Sequence, residues 1–486
     1  AAKYWEKAFP DVFEDGGFDY VVGNPPYVEV KYYNVNLPYM AEYIKRMYSS
    51  SRNGKIDLVI PFMEKGISLL NSSGRLGYIV QKRFFKTDYG KGIRKLLTTR
   101  KKLNGVYDYA ETDLFAGRIT YVAIIVCDNN ERNNDFVWYV KSDTNETQLL
   151  NHDSLTETPW NFENARLNAL RIRLAAKLGT LKDICNVKVG VQVLWNDAFQ
   201  IHINSIEGDK IHGFSAIDDN ITIELDACKP LLCNERFAPL TKRDYSTYAL
   251  FPYEVTDDGK VTELSMSDIK EKFPLAYKYL QKHRDQIVAK VETLPVRNRD
   301  YNMQEHWHLF TRANNHGAIY EKLVIPMTAQ YPQAAVITDK HVYCDNANMF
   351  FVQIPNVTET KLYALSALIN STVFCTIARS IANPQQGGYY KFNKQFLDHV
   401  PVPAGAFDKC DSTIRKLASI AKRIETTNEQ IKLSVGGRTS GLVNSLNDQW
   451  TELDELCDKL YGLTSEEKGM IYSTPRLDRN PHGQED

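Results

Sequence analysis

Two consecutive prolines, Pro25 and Pro26, stand directly behind the apolar run Phe18-Asp-Tyr-Val-Val-Gly23, and they dictate where the first strand of this chain must stop. Proline lacks a backbone N–H and holds φ at about −65°, so a central strand cannot run through it. The run before them reads as a buried strand, with Asn24-Pro25-Pro26-Tyr27 as the loop at its carboxyl end. Further along, the pattern predicts a helix over 55–70, a strand over 75–80, a helix near 88–97, and strands over 105–110 and 119–127. This alternation implies an α/β layer around a largely parallel sheet. The polar run 128–135 closes the layer or makes a surface hairpin near its end.

The texture changes near residue 180. Short β-like segments at 187–194, 198–203, 221–225, 323–326, 335–338 and 348–352 are interleaved with helical runs at 274–291 and 361–381, a mixed α+β pattern. Beyond Pro401-Val-Pro403, the apolar residues Ile414, Leu417, Ile420 and Ile424, then Leu446, Trp450, Leu453 and Leu460, recur at three- and four-residue steps. Two helices paired as a hairpin follow from that spacing. Their link, 434–441, carries glycines but no Gly-Lys-[Ser/Thr], and reads as a flexible turn.

Charged residues make up 24% and hydrophobic ones 43% of the 486, the balance of a globular chain in water rather than a disordered or membrane-spanning one. Apolar stretches such as 121–127 fall far short of the roughly 18–20 residues that cross a bilayer, so a cytoplasmic location and no membrane partner are expected. Eight cysteines without a CxxC pair predict buried free thiols, not a disulfide frame or a zinc ribbon. The net charge of −1 leaves any affinity for a polyanion to local placement of charge. Between Gln81 and Asn104 stand Lys82, Arg83, Lys86, Lys91, Arg94, Lys95, Arg100, Lys101 and Lys102 against one acid, Asp88. Such a stripe is either a solvated helix face or a phosphate-binding surface.

The loop at 24–27 carries chemistry. In an open α/β sheet, ligands sit beyond the carboxyl ends of strands. Two prolines leave carbonyl acceptors free, Asn24 adds an amide oxygen, and Tyr27 adds a flat face for stacking. A planar ring bearing an exocyclic NH2 answers all three features. The same four residues also suit a rigid turn that caps a strand.

The segment Phe18-Asp-Tyr-Val-Val-Gly-Asn-Pro-Pro-Tyr27 resembles the catalytic motif IV of S-adenosylmethionine-dependent amino methyltransferases, and the residues after it resemble the adenine-specific DNA enzymes of restriction-modification systems. Phe62, in Pro61-Phe-Met-Glu-Lys65, matches the motif V aromatic that borders cofactor and target base. Residues 78–94 resemble the motif VI strand and following helix. Phe115, in Asp113-Leu-Phe-Ala-Gly-Arg-Ile-Thr-Tyr121, matches the motif VIII aromatic that packs on the flipped adenine opposite the motif IV tyrosine. Downstream, Asn234-Glu-Arg-Phe237, Lys242-Arg243-Asp-Tyr245, Tyr277-Lys-Tyr-Leu280, Lys322-Leu-Val-Ile-Pro326, Leu368-Ile-Asn-Ser371, Gly387-Gly-Tyr-Tyr-Lys-Phe392 and Val400-Pro-Val-Pro403 are similar, in order, to a TaqI-like C-terminal specificity domain.

The resemblance implies a partial Rossmann-like methyltransferase sheet over 1–135, a connecting segment at 136–180, a mixed α+β target-recognition domain over 181–403 and a helical region over 404–486. It implies a site-specific adenine methyltransferase that acts on double-stranded DNA by base flipping. In that reading Tyr27 and Phe115 stack on the base, while Asn24 Oδ1 and the Pro25 carbonyl accept its amino hydrogens. Asn24, Pro26 and Phe62 border S-adenosylmethionine, and Lys82, Arg83, Lys86, Lys91, Arg94, Lys242 and Arg243 face the DNA. No metal is called for. Asp268-Ile-Lys270 reads as helix surface rather than a nuclease motif, and His306-Trp-His308 as structural or DNA-facing rather than a metal site.

One departure stands out. The family carries a Gly-rich cofactor loop and an acidic ribose ligand upstream of the proline motif, and only 23 residues precede Asn24 here. The expectation is therefore a chain that begins mid-domain, with an incomplete cofactor site and no activity by itself. A missing N-terminal half or complementary subunit would supply the rest, alongside an associated restriction endonuclease activity. The rival readings are a DNA-recognition module or inactive remnant, and a protein-glutamine methyltransferase, since release-factor enzymes also carry Asn-Pro-Pro-Tyr.

Overall fold

The computed structural model describes residues 2–27, 38–52, 57–109, 122–129, 135–142, 147–160, 162, 165–233, 239–242, 245–293, 303–310, 315–385, 388–434, 439–473 and 479. The chain forms two compact units, Ala1–Ile172 with Ser380–Ala382, and Arg173–Arg379 with Asn383–Asp486.

The first unit is built on a six-stranded sheet of β1 (Phe18–Gly23), β2 (Leu70–Gln81), β3 (Leu103–Asp108), β4 (Val122–Asp128), β5 (Phe136–Lys141) and β6 (Thr147–Asn151), in the order β1-β2-β4-β3-β5-β6. β1 runs parallel to β2, and β3 to β5, whereas β2–β4, β3–β4 and β5–β6 are antiparallel. This mixed sheet corrects the largely parallel one read from the alternation of strand and helix. A strand has the same period of two whichever way its neighbour runs, and β4 turns back between β2 and β3. Of the two readings of 128–135, the hairpin is corrected, because β3 stands between β4 and β5; residues 130–134 themselves lie outside the described residues.

β4 lies in the middle with Val122, Ala123, Ile125 and Cys127 buried, and β2 alternates Leu76, Tyr78 and Val80 into the core. Gly105 of β3 is required by close packing, since a Cβ there would overlap the Trp138 indole of β5. Two strands that the sequence pattern did not mark, β5 and β6, extend the sheet. Behind it the rings of Phe84, Phe85, Tyr139, Trp160 and Phe162 form one buried cluster. Helix α1 (Val59–Ser68) precedes β2, and α2 (Arg83–Lys86) and α3 (Lys91–Thr99) follow it.

The second unit opens with β7 (Asn186–Val189). A six-stranded sheet then has the order β10-β9-β8-β12-β11-β15, built of β8 (Gln200–Glu207), β9 (Lys210–Ser215), β10 (Asp218–Glu224), β11 (Cys228–Leu232), β12 (Thr247–Leu250) and β15 (Tyr343–Cys344). A four-stranded sheet has the order β14-β13-β16-β7, where β13 is Lys322–Pro326, β14 is Ala335–Ile337 and β16 is Met349–Gln353.

Both long helices expected from the pattern are broken. The first becomes α4 (Pro274–Lys282) and α5 (Arg284–Glu292), parted at His283, whose Nε2 meets Asp218 Oδ2 at 2.9 Å. The second becomes α6 (Glu359–Ile369) and α7 (Thr372–Ile381), bent by 61°. Asn370, fully buried at the bend, donates to the Ala334 carbonyl at 2.8 Å and accepts from the Ala334 N–H at 2.9 Å. Asp454 then caps the new helix through the Thr372 N–H and hydroxyl, at 2.8 and 2.7 Å. The Leu-Ile-Asn-Ser motif is thus a bend locked to Ala334, the residue that precedes the strand Ala335–Ile337.

The expected helical hairpin is present as α8 (Ser412–Leu433) and α9 (Ser440–Tyr461), joined by an Arg423–Glu452 ion pair and by Gln449 on Thr427. All eight cysteines are free, with Cys233 and Cys410 half-buried and the others buried. Among the described residues no single helix is long and apolar enough to cross a membrane.

Candidate functional site

Strand directions bring the carboxyl ends of β1, β2, β3 and β5 to one edge of the first sheet. Along that edge stand Asn24–Tyr27, Lys82, Asp108 and Tyr109. The proline pair seats the Pro25 ring in the protein and leaves Asn24 and Pro26 exposed. Tyr27 is half-buried, and its hydroxyl donates to the Ile79 carbonyl of β2 at 3.3 Å. Burial pushes its pKa up to about 12, so the phenol stays neutral and its ring is tied to β2.

α1 leads directly into the start of β2, so its first turns lie toward the carboxyl edge of the sheet. Gly66 lets it lie close on β2, because a Cβ there would collide with Leu76 and the Tyr78 hydroxyl. In its first turns Val59, Ile60, Pro61 and Met63 are buried, while Phe62 is 43% exposed. The buried Asp57 accepts the N–H of Val59, the first residue of the helix, at 3.2 Å.

The cationic stripe is divided by the fold. Arg94 corrects the DNA-facing reading: it is 2% exposed, between Ile93 and Leu97 on the core side of α3. Its guanidinium donates to the carbonyls of Phe84, Thr87 and Glu157, and desolvation lowers its pKa to about 10. Lys82 pairs with Asp108 at 2.5 Å and donates to the Tyr109 carbonyl at 3.0 Å, while Asp108 also accepts from the Tyr139 hydroxyl at 2.9 Å. Lys86 donates to the Ala382 carbonyl at 2.9 Å. Lys101 meets Asp135 and Asp153, and Lys102 holds Asn129. Arg83, Lys91, Lys95 and Arg100 remain exposed. A count along the sequence cannot separate these groups, because each residue turns about 100° around the helix axis.

Phe115 and Arg243 lie outside the described residues. The two stems of the segment that carries Phe115 are described, and they meet on the carboxyl edge, where the Tyr109 N–H donates to the Val122 carbonyl at 3.2 Å. Lys242 is exposed, and its backbone N–H donates to Glu429 at 3.1 Å. Asp268 closes a capping box with Ser265. His308 is buried with Nε2 on the Leu264 carbonyl at 2.8 Å, and Trp307 beside it packs under Arg284.

Two groups escaped the sequence pattern. The Lys82–Asp108–Tyr139 network is signalled only by an acid that ends an apolar strand. Lys322 is 1% exposed; its ammonium donates to the carbonyls of Ala318, Lys340 and Val342 and lies over the rings of Tyr320, Tyr343 and Phe351. Desolvation pushes its pKa down to about 8. A lysine opening the apolar run Lys-Leu-Val-Ile-Pro was the available signal.

Residues 1–115 match the model of the Eco57I restriction-modification methylase, and residues 267–402 match that of the TaqI-like C-terminal specificity domain. The chain therefore carries, in that order, a stretch similar to a restriction-modification methylase and a stretch similar to a specificity domain. Among individual proteins it is similar to the type II restriction enzyme and methyltransferase RM.Eco57I of Escherichia coli, at 23% identity over 80% of this chain and 41% of the relative. It is also similar to the type II methyltransferases M.PaeR7I of Pseudomonas aeruginosa, at 24% identity over 84% of this chain and 68% of the relative, and M.XhoI of Xanthomonas vasicola, at 26% over 79% and 68%. In fold it resembles the Type IIL restriction-modification enzyme MmeI, solved in complex with DNA, with a TM-score of 0.56 at 13% identity over 96% of this chain and 59% of that one. The chain thus spans less than half of the E. coli relative.

Proposed function

We propose that this chain forms the target-base side and the recognition part of a site-specific adenine DNA methyltransferase of a restriction-modification system, working on double-stranded DNA in the cytoplasm. The observation that carries this reading is the carboxyl edge of the first sheet. There the Asn-Pro-Pro-Tyr loop, with Tyr27 tied to β2, stands on the same edge as the two stems of the segment bearing Phe115. An amino group inside a duplex is out of reach, so the adenine must leave the stack. Tyr27 and Phe115 receive it, recovering about 1–3 kcal/mol per stacking face. Asn24 Oδ1 and the Pro25 carbonyl accept its two N–H bonds, which draws the nitrogen toward tetrahedral geometry and exposes its lone pair. No separate general base is needed for that step.

S-adenosylmethionine, when bound, supplies an electrophilic sulfonium methyl group. The residues present fit one side of it: Phe62 offers an exposed aromatic face, and Asn24 and Pro26 an exposed polar rim. A further part, either an upstream segment or a complementary subunit, brings the Gly-rich loop. Tyr20 and Val22 support this, since they are 74% and 83% exposed on one face of β1, the edge strand of the described sheet. The functional partition we propose is 1–135 for catalysis, 136–180 as connector, 181–403 for recognition and 404–486 as helical support, with an endonuclease activity in the same system. In this reading the chain binds DNA in a salt-sensitive way.

Sequencing of modified bases in DNA from cells that express the complete gene tests the reading. Methylated adenine at one recurring sequence, lost in Asn24→Ala, is the expected result. Unmodified adenine throughout, or methyl groups on glutamine amides of protein, would overturn it.

A further inference from the structure

The second unit holds a cation whose donors meet no acceptor among the described residues. Arg379, in the last turn of α7, places its guanidinium carbon 5.0 Å from the ring centre of Tyr331 and 4.7 Å from that of Tyr390. These rings are not on loose loops. Tyr390 begins the strand Tyr390–Lys391, which pairs with Thr328–Ala329 two residues before Tyr331, and Ala329 lies opposite Tyr390. Tyr390 is backed in turn by Phe392, stacked at 6.3 Å and fully buried.

Arg379 is only half-buried, and among the described residues no carboxylate or carbonyl accepts from its guanidinium. A guanidinium carries five N–H donors in one plane. Two aromatic contacts restrain that plane without using any of them. Along the two segments that carry the rings, Gln330, Gln385, Tyr389 and Lys391 are exposed, and no Asp or Glu occurs in 327–336 or 383–393.

We propose that Arg379 is a specificity-determining residue that reads the major-groove edge of a guanine, donating two parallel N–H bonds to O6 and N7 while Tyr331 and Tyr390 hold its plane. This rests on the recognition role proposed above and names the base and the residue. A guanine edge demands two coplanar donors at fixed spacing, which a restrained guanidinium supplies and a lysine does not. A phosphate contact needs no such restraint, because the anion accepts from many directions.

Selection of bound sequences from a randomised duplex library, with the full chain and with Arg379→Ala and Arg379→Lys, tests this. The wild-type protein should prefer guanine by about tenfold or more at one position of its motif. In both variants that position alone should fall toward parity, with the rest of the motif retained. Arg379→Lys keeps the charge and guards against loss of the fold. An unchanged motif in both variants overturns the inference. So does a uniform loss of affinity in Arg379→Ala, restored in Arg379→Lys, with a salt slope lowered by about 0.9, since that is a phosphate contact. A wild-type chain that enriches no recurring sequence refutes the recognition role itself, and this inference with it.

Discussion

Replacing Lys82 by Met separates two roles that the sequence could not. As a phosphate ligand, Lys82 would contribute to DNA affinity and little to stability. In the structure its ammonium lies 2.5 Å from Asp108, with the two side chains 19% and 6% exposed. Removing one partner of a buried ion pair costs about 3–5 kcal/mol. Lys82 keeps some exposure to water and Asp108 keeps the Tyr139 hydroxyl, so the expected cost is lower, about 2–3 kcal/mol. With a urea m-value of about 2 kcal/mol/M, the unfolding midpoint of the first unit should drop by roughly 1 M. Asp108→Asn keeps one acceptor oxygen for Lys82 and turns an NH2 toward the Tyr139 hydroxyl, which then accepts instead of donating; it should cost about 1 kcal/mol, and the double variant should show coupling between the two. The second readout is the dependence of DNA affinity on salt, whose slope falls by about 0.9 for each phosphate that is no longer neutralised. It should not move in Lys82→Met. A variant that melts within about 0.5 kcal/mol of wild type and loses that increment of slope refutes the structural role.

Tyr27→Ala in the complete enzyme should weaken binding to DNA with an extrahelical adenine, whereas Asn24→Ala should spare binding and cut turnover, because its acceptor acts as the nitrogen attacks. Equal losses in both would end that division of roles. Asn370→Ala strips the buried Ala334 N–H of its acceptor and should destabilise the second unit by about 2–3 kcal/mol in urea melts; a neutral result would show that the bend does not depend on it. Burial lowers Lys322 from 10.5 to about 8, so between these values the unfolded chain binds more protons than the folded one, and stability should rise with pH through that window. Lys322→Met should remove the rise, and a wild-type-minus-variant difference that is flat or falls from pH 8 to pH 10 contradicts the assignment.

Local order was legible in the residues themselves. The stop of β1 at Pro25, the amphipathic helices α8 and α9 and the loop chemistry of Asn24–Tyr27 each depend on neighbours a few positions away, where backbone stereochemistry and periodicity act. Tertiary structure decided what depends on partners distant in sequence. β4 runs antiparallel because of where it fits between β2 and β3, and a period of two carries no direction. The helix expected over 361–381 breaks because Asn370 finds Ala334, 36 residues away. Arg94 and Lys82 look alike in the sequence to Lys91 and Lys95, yet the first two are drawn inward by carbonyls and a carboxylate that only folding brings to them. Charge and hydrophobicity are properties of a residue, but burial and pairing belong to the place where the chain puts it.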